Sequence, residues 1–217
     1  MIPQTIHQIY GTFEDNIPIE SIPIFHSQST KTRQYCIDNN IDYKFWNGTD
    51  CRKLLDKYPQ FKRLYEDFSQ LIMRADFMRY LILYDEGGIY VDCDIAPISD
   101  ISSLFNYDEF FVCWNNDTKR LPYNAVLGSC AKSKLYDDIL NHMEESYYEK
   151  SSMDIYNSWK GRLVFQTTGH YMLKRVIKKH NSIDILDILK VNNKYGEVIE
   201  GSNAMFEDYN ASIWYSK

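Results

Sequence analysis

The sequence predicts an α/β fold. Three observations carry that reading. Short β-rich runs alternate with longer helical runs. Residues 67–86 hold a 3-4 apolar spacing with no Pro or Gly. The apolar triplet "IYV" (89–91) then follows two glycines and ends on aspartates.

In chain order, "TIHQIY" (5–10) reads as a first strand ending at Gly11, and 14–23, with Pro18 and Pro23, as a loop. The polar stretch "SQSTKTRQYCIDNN" (27–40) suits a helix closed by Asn39 and Asn40. "IDYKFW" (41–46) is a second strand, and in the turn "NGTD" Thr49 or Asp50 is expected to cap the helix "CRKLLDKY". Phe68, Leu71, Ile72, Ala75, Met78 and Ile82 make 67–86 a helix, stopped by Gly87 and Gly88. "IYV" is a short buried strand, "PISDISSLF" turns away, and "EFFVCWNN" (109–116) is another strand. "NAVLGSC" leads to a helix near 133–145. "HYMLKRVIKKH" (170–180) is a helix with Leu173, Val176, Ile177 and His180 on one stripe. No repeat or domain boundary is visible, so 217 residues read as one domain with its own core.

Composition narrows the function classes. A net charge of -6 argues against a broad grip on nucleic acid or anionic lipid, leaving room for a local basic pocket. Five cysteines without a C-x-x-C pair argue against a zinc site or a disulfide framework and for a reducing compartment, so a cytoplasmic location is expected. The start "MIPQTIHQIYGTF" has no signal-peptide pattern, and no apolar run approaches the roughly 18 residues of a transmembrane span.

Asp92 and Asp94 stand two residues apart. In extended backbone they would project to one side, about 7 Å apart. Two hard oxygen donors suit Mg²⁺ or Mn²⁺, which can neutralise a diphosphate leaving group. Strand ends of open α/β sheets collect ligands. A bare D-x-D equally fits a solvated turn. Asp76 and Arg79, three apart on the long helix, sit among the apolar Ala75, Met78 and Ile82. They read either as a structural ion pair or as a functional pair, with Arg79 reaching a phosphate oxygen and Asp76 a sugar or ribose hydroxyl. His7 reads as a satisfied strand histidine; His26, His142 and His180 lack metal-ligand spacing. Trp46, Trp114 and Trp159 read as core.

Taken whole, "IMRADFMRYLILYDEGGIYVDCDIAPI" resembles the DxD-containing sugar-binding region of family 32 glycosyltransferases, with the pattern A-D-x-x-R-Y-x-x-L-Y-x-x-G-G-I-Y-x-D-x-D. Weaker echoes occur in "IPQTIHQIYG", "YKFWN", "NAVLGS", "TTGHYML" and "NASIW". The resemblance implies a GT-A fold. A Rossmann-like nucleotide-sugar half (about 1–97) would join a small acceptor half with a C-terminal lid (about 98–217) around one mixed sheet. It implies metal-dependent, retaining transfer of a hexose to a glycan, glycolipid or protein hydroxyl, with Mn²⁺ or Mg²⁺ and a UDP-sugar expected over a GDP-sugar. Polysaccharide biosynthesis is the implied setting; no nucleic-acid partner is implied, and peripheral membrane contact is compatible. Carried over by position, Tyr10 would stack on the base, while Asp76 and Arg79 would hold the donor sugar and diphosphate. Asp92 would touch ribose and the metal's water, and Asp94 would ligate the metal. Ser212 and Trp214 would belong to the lid, with Asn210 and Ser212 as further metal ligands. The chain departs from the family pattern at Tyr10, where Trp is usual, at His170, where Pro is common, and in lacking a His-rich lead-in before "NASIW".

Two rivals stay open. A haloacid-dehalogenase-like phosphohydrolase would use Asp92 as nucleophile and Asp94 as general acid, with Lys132 or Lys134 and Asp137-Asp138 downstream, although Ala96 replaces the expected Thr. A catalytically silent nucleotide-sugar-binding module is the other. An EF-hand fails, because Ala96 and Pro97 stand where a ligand and the turn glycine belong.

Overall fold

A computed structural model describes residues 1–12, 17–114, 121–153, 160–180, 184–192 and 198–209 of the chain. The strand expected at the N-terminus is β1 (Thr5–Ile9), and it lies between β2 (Asp42–Trp46) and β3 (Gly88–Val91), parallel to both. Next to β3 runs β6 (Pro122–Ser129), antiparallel; it pairs antiparallel with β5 (Phe110–Trp114), and β5 parallel with β7 (Asp184–Leu186). The mixed sheet thus has the order β2-β1-β3-β6-β5-β7. A second sheet stands apart from it, with the order β4 (Ile95–Pro97), β10 (Phe206–Asp208), β8 (Leu189–Asn192) and β9 (Val198–Glu200). One mixed sheet is therefore not the whole architecture.

Alternation along β3 separates two cores, because successive strand side chains leave by opposite faces. Tyr90 packs with Leu81, Leu127, Ile139 and Met172, while Ile89 and Val91 pack with Ile6, Phe111, Val126 and Phe206. The first core is roofed by α4 (Leu71–Glu86) and α5 (Lys134–Lys150), with α6 (Lys160–Thr167) and α7 (His170–Ile177) beside them.

Helix boundaries differ from the sequence reading in instructive places. The first helix, α1, spans Pro23–Asp38; Pro23 opens it, since a ring-fixed φ suits the first helical turn, rather than closing a loop. The cap of α2 (Gly48–Asp56) is Asn47, whose side chain accepts from the Thr49 and Asp50 amides at 2.8 and 3.0 Å; Thr49 and Asp50 are capped, not capping. The helix expected over 67–86 is α4, which begins only at Leu71; Asp67 instead ends a separate helix, α3 (Lys62–Asp67). Phe68 leaves helical geometry at ψ 114° and buries its ring against Phe77 and Tyr147, at 6.0 and 5.1 Å between centroids. His180 lies beyond the end of α7, near Asp138 at 3.1 Å.

Gly87 and Gly88 turn α4 into β3 with φ of +71° and +96°. Space reinforces the demand, since a Cβ on Gly88 would lie 2.7 Å from His7 Nε2. His7 is fully buried. Trp46 Nε1 donates to its Nδ1 at 3.1 Å, so Nε2 carries the proton and donates to the Gly87 carbonyl at 2.9 Å. The expected satisfied strand histidine is what the structure holds. Burial lowers its pKa from 6.5 to about 4, and burial does the same for His170. In both cases the unfolded chain takes the proton first. Stability is therefore full above about 6.5 and is lost as pH falls toward about 4. Urea unfolding at pH 7 and 4.5 should show that loss, and the His7 ring nitrogens should report a neutral Nε2–H tautomer by NMR at pH 5.5. A charged His7 ring at that pH would contradict the burial argument.

Candidate functional site

The turn from α4 into β3 lays the middle of the helix beside the C-terminal end of that strand. Asp76 and Arg79, three residues apart on α4, are 5% and 4% exposed there. Arg79 Nη2 lies 3.1 Å from Asp76 Oδ1, and Nη1 lies 3.0 and 3.3 Å from the two oxygens of Asp92. Nη1 also donates to the Asn124 carbonyl at 2.6 Å. The guanidinium stacks over the Tyr90 ring at 4.8 Å, and the Tyr90 hydroxyl donates to Asp92 Oδ1 at 2.6 Å. Burial alone would lower the Arg79 pKa; Asp92 and Asp76 outweigh it and hold the cation firmly charged. Arg79 Nε is buried without a hydrogen bond.

Asp76 has its carboxylate turned to protein. Asn124 Nδ2 donates to Oδ1 at 3.0 Å and Thr168 Oγ1 to Oδ2 at 2.7 Å. Burial raises its pKa, with Arg79 and Thr168 pulling the other way. The sequence reading named Asp76 and Arg79 but missed Asn124, Thr168 and Tyr90. Asn124 reaches the pair through a strand irregularity. Val112 faces Leu127 on β6 but Cys113 faces Tyr123, so 124–126 are extra on β6 and the Asn124 peptide turns toward α4.

Asp92 and Asp94 do not lie in extended backbone. Ile95 N–H donates to the Asp92 carbonyl at 3.1 Å, closing a turn over 92–95, and β4 begins at Ile95. Long-range hydrogen bonds tether the turn: the Asp92 amide donates to the Ala125 carbonyl at 2.9 Å, Gln8 Nε2 to the Asp92 carbonyl at 3.1 Å, and the Cys93 thiol to the Ile9 carbonyl at 3.3 Å. The Asp92 side chain stays 27% exposed. Asp94 is half-buried, and its carbonyl accepts from Tyr209 N–H at 3.2 Å. Asp208, 1% exposed on β10, faces Ile95 across the second sheet. Burial, with Asp208, Asp94 and Asp92 adding to it, raises the Tyr123 pKa well above its ordinary value.

Tyr10 follows β1 at the same sheet end, half-buried, its hydroxyl donating to the Ile17 carbonyl at 2.8 Å and its ring edge-on to Phe25 at 6.0 Å. Asn210, Ser212 and Trp214 lie outside the described residues. The residues the phosphohydrolase reading needs are elsewhere. Lys132 pairs with Asp85 at 2.9 Å, near the C-terminus of α4 and so at the opposite end of β3 from Asp92. Lys134 pairs with Asp138.

Comparison with known proteins follows this geometry. Residues 19–111 match the family described as a glycosyltransferase sugar-binding region containing a DXD motif. An uncharacterized glycosyltransferase of Acanthamoeba polyphaga mimivirus is 30% identical over 148 residues, 66% of this chain and 56% of the relative. A mannosyl phosphorylinositol ceramide synthase of Saccharomyces cerevisiae is 37% identical over 154 residues, 69% of this chain and 36% of the relative. The chain therefore spans about half or less of these relatives' length. Among solved structures, the PaToxG glycosyltransferase superposes with a TM-score of 0.57 at 17% identity, covering 82% of this chain and 68% of that one. The shared fold is the mixed α/β, GT-A-like architecture that the sequence resemblance implied.

Proposed function

We propose that the chain transfers a hexose from a nucleotide-sugar to a hydroxyl acceptor, a reading supported by the match of residues 19–111 to a glycosyltransferase sugar-binding region containing the DXD motif. The observation that carries the reading is the 92–95 turn. It places two aspartates at the C-terminal end of β3, beside the end of the parallel β1, with a buried arginine fastened to the first. In this reading Tyr10 stacks on the base, Asp92 faces ribose, and Arg79 acts through Asp92 as a positioning residue. Residues 1–97 form the donor half, and 98–217 the acceptor half and lid.

The donor set fits a hard divalent cation, Mn²⁺ or Mg²⁺, which takes carboxylate oxygens and keeps positions for water and phosphate. Among the described residues no group of three His, Cys, Asp or Glu side chains could hold a metal. Asp92 and Asp94 would hold the ion, with Asn210 and Ser212 proposed to join them. When bound, such an ion neutralises charge on the departing diphosphate. The bond from the sugar C1 to the phosphate oxygen breaks, and the acceptor oxygen bonds to C1 on the same face. The acceptor proton passes to the leaving phosphate oxygen, so no protein base is needed and configuration is retained. A UDP-sugar is the proposed donor over a GDP-sugar. A glycolipid is the proposed acceptor class, supported by the ceramide named for the yeast relative.

Nucleotide release from a panel of UDP- and GDP-sugars, with and without Mn²⁺, tests this without an acceptor. Release from one donor, only with metal, is expected. Phosphate freed from a simple phosphoester would instead indicate the phosphohydrolase. Donor binding without release would indicate a silent module.

A further inference from the structure

The inner face of α1 is polar. Gln28, Ser29 and Thr32 are buried there at 3, 7 and 0% exposure. Thr32 has a use, donating to the Ile95 carbonyl at 3.2 Å, and Ser29 sits beside the Cys93 thiol. Gln28 has none: among the described residues no hydrogen bond reaches its amide, which keeps a sliver of exposure. An amide held in so narrow an opening, with no partner among the described residues, leaves its donors and acceptor available to a ligand.

The helix neighbours of Gln28 locate it, because residues three and four apart share a face. Three before it, Phe25 meets the Tyr10 ring edge-on. Three after it, Lys31 lies over the Tyr209 ring at 5.9 Å, and the Tyr209 amide donates to the Asp94 carbonyl. Four after it, Thr32 holds Ile95. Gln28 is therefore bracketed by the end of β1, the ring assigned to the base, and the turn carrying both aspartates.

We propose that Gln28 reads the edge of the donor's nucleobase, its carboxamide pairing with an N–H beside a carbonyl, as uracil and guanine both present. The proposal rests on the nucleotide-sugar reading of the site and on Tyr10 as its base platform. A side-chain amide supplies one donor and one acceptor side by side, which matches such an edge with two hydrogen bonds. Tyr10 then supplies area and Gln28 supplies register.

The test titrates wild type, Gln28→Ala and Tyr10→Ala with UDP, GDP and inorganic pyrophosphate in Mn²⁺, and with N3-methyl-UDP and N1-methyl-GDP, in which the edge N–H is gone. Wild type is expected to bind one nucleoside diphosphate tighter than pyrophosphate and to lose about tenfold on methylation, the scale of one to two neutral hydrogen bonds. Gln28→Ala should lose a similar factor for the parent nucleotide, leave pyrophosphate unchanged, and be indifferent to methylation. Gln28→Glu keeps the acceptor for the edge N–H but loses the donor to the base carbonyl, so it should weaken UDP while retaining a methylation penalty. A methylation penalty that persists in Gln28→Ala, or an equal loss for pyrophosphate, overturns the base contact while Tyr10→Ala still weakens nucleotide binding. If wild type binds no nucleoside diphosphate better than pyrophosphate, and Tyr10→Ala changes nothing, the nucleotide reading fails and takes this proposal with it.

Discussion

Asp94→Ala is expected to lower metal-dependent nucleotide release at least about a hundredfold, the loss typical of removing one group that stabilises charge developing in a transition state. The fold should survive. The Asp94 carbonyl takes the Tyr209 amide at 3.2 Å, a main-chain bond that the substitution leaves in place. The turn itself is closed through the Asp92 carbonyl and tethered through Asp92 N–H and the Cys93 thiol, none of which the substitution touches. Unfolding free energy should thus change by about 1 kcal/mol, the scale typical of a single substitution. Asp94→Asn separates charge from shape and should fall nearly as far as alanine. Initial rates at saturating donor, with Mn²⁺ varied, provide the measurement. Turnover within threefold of wild type in both variants would sink the metal-bridge reading of the turn.

The parts of this site that sequence exposes are those written in local spacing. Asp76 and Arg79 share a helix face because three residues make most of one turn, and the glycine pair announces a helix end that only positive φ allows. The aspartates themselves are visible, but their conformation is not. Alternation through "IYVDCD" continues the strand pattern, whereas the turn at 92–95 depends on the Cys93 thiol meeting a carbonyl 84 positions earlier. Asn124 and Thr168 were hidden for the same reason. One enters through a register irregularity between β5 and β6, the other across 92 positions, and neither leaves a periodic trace. The second sheet escaped notice because its strands are three or four residues long, and β4 finds β10 more than a hundred positions away. The polar inner face of α1 hid its start, since an apolar stripe is what locates a helix in sequence.

Arg79→Met should be the most destabilising of the substitutions considered, by about 3–5 kcal/mol at pH 7, because it leaves the buried Asp76 carboxylate without its counter-charge. Asp76 bears most of that cost, being 5% exposed with only neutral donors remaining from Asn124 and Thr168. Its pKa is already raised by burial with the arginine present, and loss of the arginine raises it further. A carboxyl whose folded pKa is raised contributes stability below its unfolded value of 3.8, and loses it as pH rises through the folded value. Acid should therefore narrow the gap between Arg79→Met and wild type, while His7 and His170, whose pKa values are lowered in the fold, weaken both proteins alike. Urea unfolding of the two proteins at pH 7 and pH 5 gives the comparison, and Arg79→Met combined with Asp76→Asn should recover part of the loss, since the sites share one network. Arg79→Lys keeps a charge but cannot span Asp76, Asp92 and the Asn124 carbonyl with one ammonium, so it should retain more stability than the methionine variant yet still lose turnover. A gap that stays constant or widens in acid would mean that the buried Asp76 charge is not what Arg79 compensates. Turnover lost with no stability change at all would move Arg79 from holding Asp92 to touching the substrate itself.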